Sequence, residues 1–169
     1  MTQIKAMASI KSLAMTMTMT AALTLVSVVS SADAPNPFIG KWALDLGKST
    51  FHPGPSGLKS QTVTVTEAPG GATHTSIDSV GADGSTYHVE FTSANDGKPV
   101  PTTGDPDSDS VVLTSLNPNT AKEVFLKAGK PTGAGTLTVS KSGKTFQAPF
   151  HGTNADGSKW NNLFVYVRQ

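Results

Sequence analysis

Beyond its first thirty residues the chain alternates apolar and polar positions with a period of two. The runs Gln61 to Thr66, Tyr87 to Phe91, Thr136 to Ser140 and Leu163 to Val167 carry this pattern and are rich in β-branched and aromatic residues. No stretch there sustains the three-and-four spacing of an amphipathic helix. Turn residues interrupt the alternation at Pro69-Gly70-Gly71, Ala82-Asp83-Gly84, Asn95-Asp96-Gly97, Asn117-Pro118-Asn119, Ser142-Gly143 and Ala155-Asp156-Gly157. The pattern predicts nine strands, at 38–46, 60–67, 72–80, 85–93, 110–116, 121–127, 133–141, 144–152 and 158–168. Strands at hairpin spacing make an antiparallel meander.

The two Ala-Asp-Gly loops set a register. Each fits a three-residue hairpin turn whose Gly takes the left-handed conformation. Gly81 then opposes Ser85, which pairs Ile77 with Val89 and Thr75 with Phe91 on one face and Asp78 with His88 on the other. Asn154 likewise opposes Ser158, which pairs Phe146 with Tyr166, Ala148 with Phe164 and Phe150 with Asn162. The last strand is apolar on its opposite face too, at Leu163, Val165 and Val167. That stripe is read as covered by more chain or as a weak oligomer contact, so a monomer or weak oligomer is expected.

A flat sheet of nine twisted strands would leave two unpaired edges and much apolar surface in water. Closure into an up-and-down antiparallel β-barrel of about 8–10 strands solves both problems. A two-sheet sandwich is the alternative, but it needs long crossovers, and the only long irregular stretches are 47–58 and 94–109.

The beginning of the chain differs from the rest. Lys5 and Lys11 precede an uncharged apolar segment that ends in Ser30-Ser31-Ala32, the anatomy of a signal peptide over residues 1–32. The remainder, 33–169, suits a single domain. The net charge of +1 includes those two lysines, so the remainder is close to neutral. A near-neutral surface gives no grip on nucleic acid or on anionic membranes. Cysteine is absent, so an exported domain of this sequence is held by its core alone. These features point to a bacterial periplasmic or secreted protein.

The segment Pro37 to Thr50 invites two readings. Its end, Gly47-Lys48-Ser49, looks like a phosphate-binding loop, but six residues separate Gly40 from Gly47 where four are required, and prolines follow where a helix is needed. Its beginning, Phe38-x-Gly40-x-Trp42, resembles the opening strand of the calycin superfamily, which includes the lipocalins, fatty-acid-binding proteins and avidins. The whole chain resembles small exported bacterial proteins with a lipocalin-like barrel. The resemblance implies that Trp42 closes the barrel base and that a cation from the last strand packs over it. Arg168, the only Arg, is placed for that role. Leu44 and Lys48 stand where avidins place polar biotin contacts, and Pro53, Gly54, Pro55 and Gly57 forbid the helix pair of fatty-acid-binding proteins.

Candidate chemistry is sparse. His52, His74, His88 and His151 fall on separate segments, and no nucleophile motif accompanies them. His88 opposite Asp78 reads as a solvated surface pair, and His74 and His151 as rim residues. Asp105, Asp107 and Asp109 recur at every second position, a spacing that suits Ca²⁺, but Ser110 and Leu116 replace the Gly and Glu that the calcium loop requires. That loop reads as a solvated acidic segment that keeps an edge from pairing. No enzymatic activity, metal or cofactor is expected. The aromatics are the remaining handle: a small hydrophobic ligand is expected against Trp42, Leu44, Tyr87, Val89, Phe91, Phe146, Phe150, Trp160, Asn162, Phe164 and Tyr166. The same residues filling a solid structural or protein-interaction barrel are the alternative, since an eight-stranded barrel has room for either.

Overall fold

The computed structural model describes residues 35–154 and 156–169, so the signal segment predicted at 1–32 lies outside the described residues. Eleven strands follow in chain order: β1 (Gly40–Leu44), β2 (Thr50–His52), β3 (Leu58–Ala68), β4 (Ala72–Gly81), β5 (Thr86–Ser93), β6 (Asp96–Pro101), β7 (Ser110–Asn117), β8 (Thr120–Lys127), β9 (Lys130–Val139), β10 (Thr145–Thr153) and β11 (Lys159–Arg168). Ten of them run in one antiparallel order, β5-β4-β3-β1-β11-β10-β9-β8-β7-β6, and β2 pairs β11 off that path. The two ends of the order meet at a single bridge, where Glu90 and Thr103 exchange backbone hydrogen bonds of 3.1 and 3.0 Å. The result is a nearly closed up-and-down barrel.

The predicted registers hold. Ile77 pairs Val89, Thr75 pairs Phe91 and Asp78 pairs His88, while Phe146 pairs Tyr166, Ala148 pairs Phe164 and Phe150 pairs Asn162. Two strands lie in the stretches expected to be irregular, β2 within 47–58 and β6 within 94–109. β2 has only three residues, too few for alternation to register. β6 contains Pro99 and Pro101, which argue against a strand except at an edge. Its ladder is with β7, and toward β5 it is followed only by the bridge at Thr103.

The first and last strands are sealed against each other. Trp42 is fully buried, and the Arg168 guanidinium lies 4.0 Å from its ring centroid. Arg168 also donates to three carbonyls, Pro37 O at 2.7 Å, Ile39 O at 2.8 Å and Gly143 O at 2.6 Å. The indole Nε1 donates to Phe38 O at 2.9 Å. Gly40 makes this approach feasible: it sits at φ +137°, and a Cβ there would come within 2.3 Å of Arg168 Nη1.

The apolar outer stripe of β11 is covered at its centre by the chain itself. Val165 is buried, its N–H donating to Ser49 Oγ at 3.0 Å and its carbonyl accepting from the Asp45 N–H at 2.8 Å. The turn after β1 thus folds along β11 before β2 resumes the pairing at Asn161–Leu163.

Candidate functional site

Alternation gives every long strand one inward row. The inward rows include Val63 and Val65 of β3, Thr73, Thr75 and Ile77 of β4, Phe91 of β5, Leu113 of β7, and Ala121, Glu123 and Phe125 of β8. Leu137 of β9, Phe146, Ala148 and Phe150 of β10, and Trp160, Asn162, Phe164 and Tyr166 of β11 complete the wall. These side chains line an open cavity of about 1240 Å³. It is somewhat larger than a typical small-molecule site of about 300–1,000 Å³.

A barrel lined by eight aromatic rings stays open because of glycines on β9 and β10. A Cβ on Gly133 would lie 2.7 Å from the Trp160 ring, one on Gly152 would lie 2.4 Å from it, and one on Gly135 would lie 2.3 Å from the Phe150 ring. The two rings therefore lie over bare backbone instead of standing into the interior, the arrangement by which aromatics cover strand glycines. The rings continue along the wall: Phe150 meets Phe125 at 5.0 Å and Phe164 at 6.1 Å, and Tyr166 stacks on Phe146 at 5.1 Å and on Phe164 at 6.4 Å. Gly135→Val is expected to push Phe150 off the wall. The backbone carbonyl of Pro149, 2.2 Å from the same Cβ position, bars relief on the other side. The substitution should cost about 1–3 kcal/mol of stability and lower affinity for any ligand of the cavity at least tenfold, read by denaturation and by fluorescent-probe titration.

Polar groups punctuate this apolar wall. Tyr166 Oη donates to Gln61 Oε1 at 2.5 Å, and Gln61 Nε2 donates to Ser79 Oγ at 2.8 Å, so the phenol is tied past β1 to β3 and β4. Asn95 Nδ2 donates to Thr73 Oγ1 at 3.1 Å near one end. Glu123 is only 6% exposed, yet among the described residues no hydrogen bond or ion pair reaches its carboxyl. Burial, and secondarily the charge of Asp105, push its carboxyl up to about 8. The Tyr166 hydroxyl is raised well above its ordinary range by burial first and by Glu123 second.

Of the residues expected to contact a ligand, Phe91, Phe146, Phe150, Trp160, Asn162, Phe164 and Tyr166 line the cavity. Trp42, Leu44, Tyr87 and Val89 do not, which corrects the expectation for these four. Trp42 is occupied as the base plug, and Leu44 ends β1 packed against the core cluster. Tyr87 and Val89 belong to the part of β5 that runs past the closing bridge at Glu90, and Tyr87 is 47% exposed with its Oη accepting from Ser85 Oγ. Glu123 was missed. Its signal was legible, because alternation from Ala121 to Phe125 puts a carboxylate on the apolar face of a strand.

The remaining polar clusters lie outside the cavity. His88 Nδ1 is 2.6 Å from Asp78 Oδ1 on the exposed outer face, and the imidazole pKa is raised mainly by that hydrogen bond. His74 of β4 pairs with Thr92 of β5 at 3.0 Å, while His151 lies on β10, with three strands between them in the order. The Asp105–Asp109 loop spends its carboxylates on itself and on β8's end: Asp105 accepts from Asp107 N at 2.9 Å and from Ser108 Oγ, and Asp109 accepts from Ala128 N at 2.7 Å. Among the described residues no three His, Asp or Glu side chains are grouped to hold a metal ion.

At the sequence level no family model and no curated protein matches this chain. Solved structures are similar in shape. A single-residue variant of the fluorescent protein UnaG superposes with a TM-score of 0.50 at 12% identity, over 79% of this chain and 96% of that one. The fold is calycin-like. A redesigned β-barrel gives 0.46 at 16% identity over 79% and 92% of the two chains. The zebrafish ileal bile acid-binding protein, in a complex with cholic acid, gives 0.45 at 10% identity over 79% and 99%.

Proposed function

We propose that this calycin-like barrel is an exported bacterial binding protein, monomeric or weakly associating, that holds one small hydrophobic ligand and catalyses no reaction. The observation that carries the reading is the open interior of about 1240 Å³ walled by aromatic and aliphatic side chains. A structural barrel would have filled that space, since a void of this size costs stability. Burial of apolar ligand surface supplies the affinity, at about 25 cal/mol per Å² before the costs of association. The hydrogen-bonded Tyr166–Gln61 pair and Asn162 supply orientation. Export rests on the apolar, uncharged segment that follows Lys11.

Native mass spectrometry of protein purified from its own host tests the reading. A co-purifying molecule of a few hundred daltons, displaced by 1-pyrenebutanol, is the expected result. Failure of pyrenebutanol to bind the purified protein at micromolar concentrations would overturn it.

A further inference from the structure

The ligand's chemistry is written in the one buried carboxyl of the wall that, among the described residues, has no hydrogen-bonding partner. We propose that the cavity selects a hydrophobic organic cation, an amine or quaternary ammonium on an apolar body, with its charge against the Glu123 carboxyl and the aromatic wall beside it. The inference rests on the binding reading above and names the class of ligand.

Three observations point the same way. First, the Glu123 carboxyl opens onto the cavity. It receives no hydrogen bond from the described residues, and no unbonded side-chain oxygen among them is sealed from accessible space, so its oxygens face the interior. Its cross-strand neighbours offer no charge: Leu113 on β7 and Gly135 on β9. Second, aromatic rings lie beside that position on the wall. Phe150 fills the space over Gly135, directly across from Glu123, and contacts Phe125 and Phe164. A carboxylate beside several aromatic faces is the combination that stabilises a desolvated organic cation. Third, the ionisable lining is weighted against an anionic ligand, with three carboxyl groups and one cation. Its charged members are Glu123, Asp105, Asp107 and Lys127, and Lys127 is tied to Pro106 O at 3.0 Å. Arg168, which would suit a carboxylate, is spent on Trp42 and three carbonyls outside the cavity. A fatty acid would meet net negative charge along its path.

The groups facing Glu123 are the Tyr166 phenol within the barrel and Asp105 in the loop at its end. In the empty protein Glu123 holds its proton at neutral pH, and a cation must displace it. Binding of a permanently charged ligand therefore releases a proton below about pH 8.

The test uses three fluorescent probes of one body and different heads: 1-pyrenebutanol, 1-pyrenebutyrate and N,N,N-trimethyl-1-pyrenebutylammonium. At pH 8 the ammonium should bind at least tenfold more tightly than the butyrate. Its affinity should fall by up to about tenfold per unit as the pH drops from 8 to 6, while that of the butanol stays level. Glu123→Gln should erase the ammonium's preference over the butyrate and the pH dependence of ammonium binding. Butyrate binding as tightly as the ammonium, or a preference that survives Glu123→Gln or disappears in Asp105→Asn, would overturn the proposal. In each of those outcomes butanol binding still supports the carrier reading; loss of all three probes would overturn both.

Discussion

Trp42→Ala should destabilise the protein by about 3–5 kcal/mol, the cost of removing a fully buried large aromatic. That is a large fraction of the roughly 5–15 kcal/mol that holds a domain together. The loss extends beyond a cavity in the core. Trp42 pairs Arg168 on β11 and Val63 on β3, so its position is where the first strand joins both neighbours. Its ring also supports Phe146 at 5.7 Å, which in turn stacks on Tyr166. Arg168→Ala should cost less, about 2–3 kcal/mol, through the lost carbonyl contacts and the lost cation–π contact. Arg168→Lys should not recover it, because an ammonium lacks the planar fork that reaches Pro37, Ile39 and Gly143 together. A double-mutant cycle by urea denaturation should give a Trp42–Arg168 coupling of about 0.5–2 kcal/mol. A coupling near zero, with Arg168→Ala costing under about 0.5 kcal/mol, would mean that the terminal strands are held by their ladder alone.

The second large effect is a dependence of stability on pH with an unusual sign. Glu123 is raised from 4.5 to about 8 in the fold, so the folded protein holds this proton more tightly than the unfolded chain. The stabilisation it gives is complete below about pH 4.5 and is lost as the pH rises toward 8, beyond which the curve is flat in this respect. A shift of this size corresponds to a change on the order of 5 kcal/mol across the window. The exposed carboxylates with lowered values, among them Asp45, Asp96 and Asp109, act at more acidic pH and with the opposite sign. His88, raised by Asp78, loses its contribution in the same direction as Glu123 as the pH rises. Glu123→Gln isolates the buried group, since His88 is common to both proteins. Urea titrations of the ligand-free protein at pH 5, 6.5 and 8 should show the wild type weakening by several kcal/mol and the variant nearly level. Parallel curves would show that Glu123 is hydrated and ionised in the fold.

The two effects mark different reasons for burial. Trp42 is buried to close the barrel and has its one polar atom satisfied by Phe38 O. Glu123 is buried with no such satisfaction, and it sits where an apolar residue would have made the empty protein more stable. A position that costs stability in the free protein and faces an open interior is accounted for by what enters that interior.

Much of this molecule was determined by the sequence alone. Alternation located nine of the eleven strands, and two Ala-Asp-Gly loops set the pairings of both hairpins, because a hairpin turn and a two-residue period are local properties of the chain. The Trp42–Arg168 seal was anticipated by the resemblance to the calycin opening strand, and it joins the first and last strands as a closed meander requires. Only the tertiary structure decided the rest. Strands β2 and β6 exist because a neighbour offers them a ladder, which no local pattern records. Whether the aromatics fill the barrel or line it was decided across strands, where Gly133 and Gly152 lie under Trp160 and Gly135 under Phe150. The same cross-strand geometry left Tyr87 outside the cavity and Glu123 inside it. Sequence spacing determines which face a side chain takes; only the assembled wall determines what that face encounters.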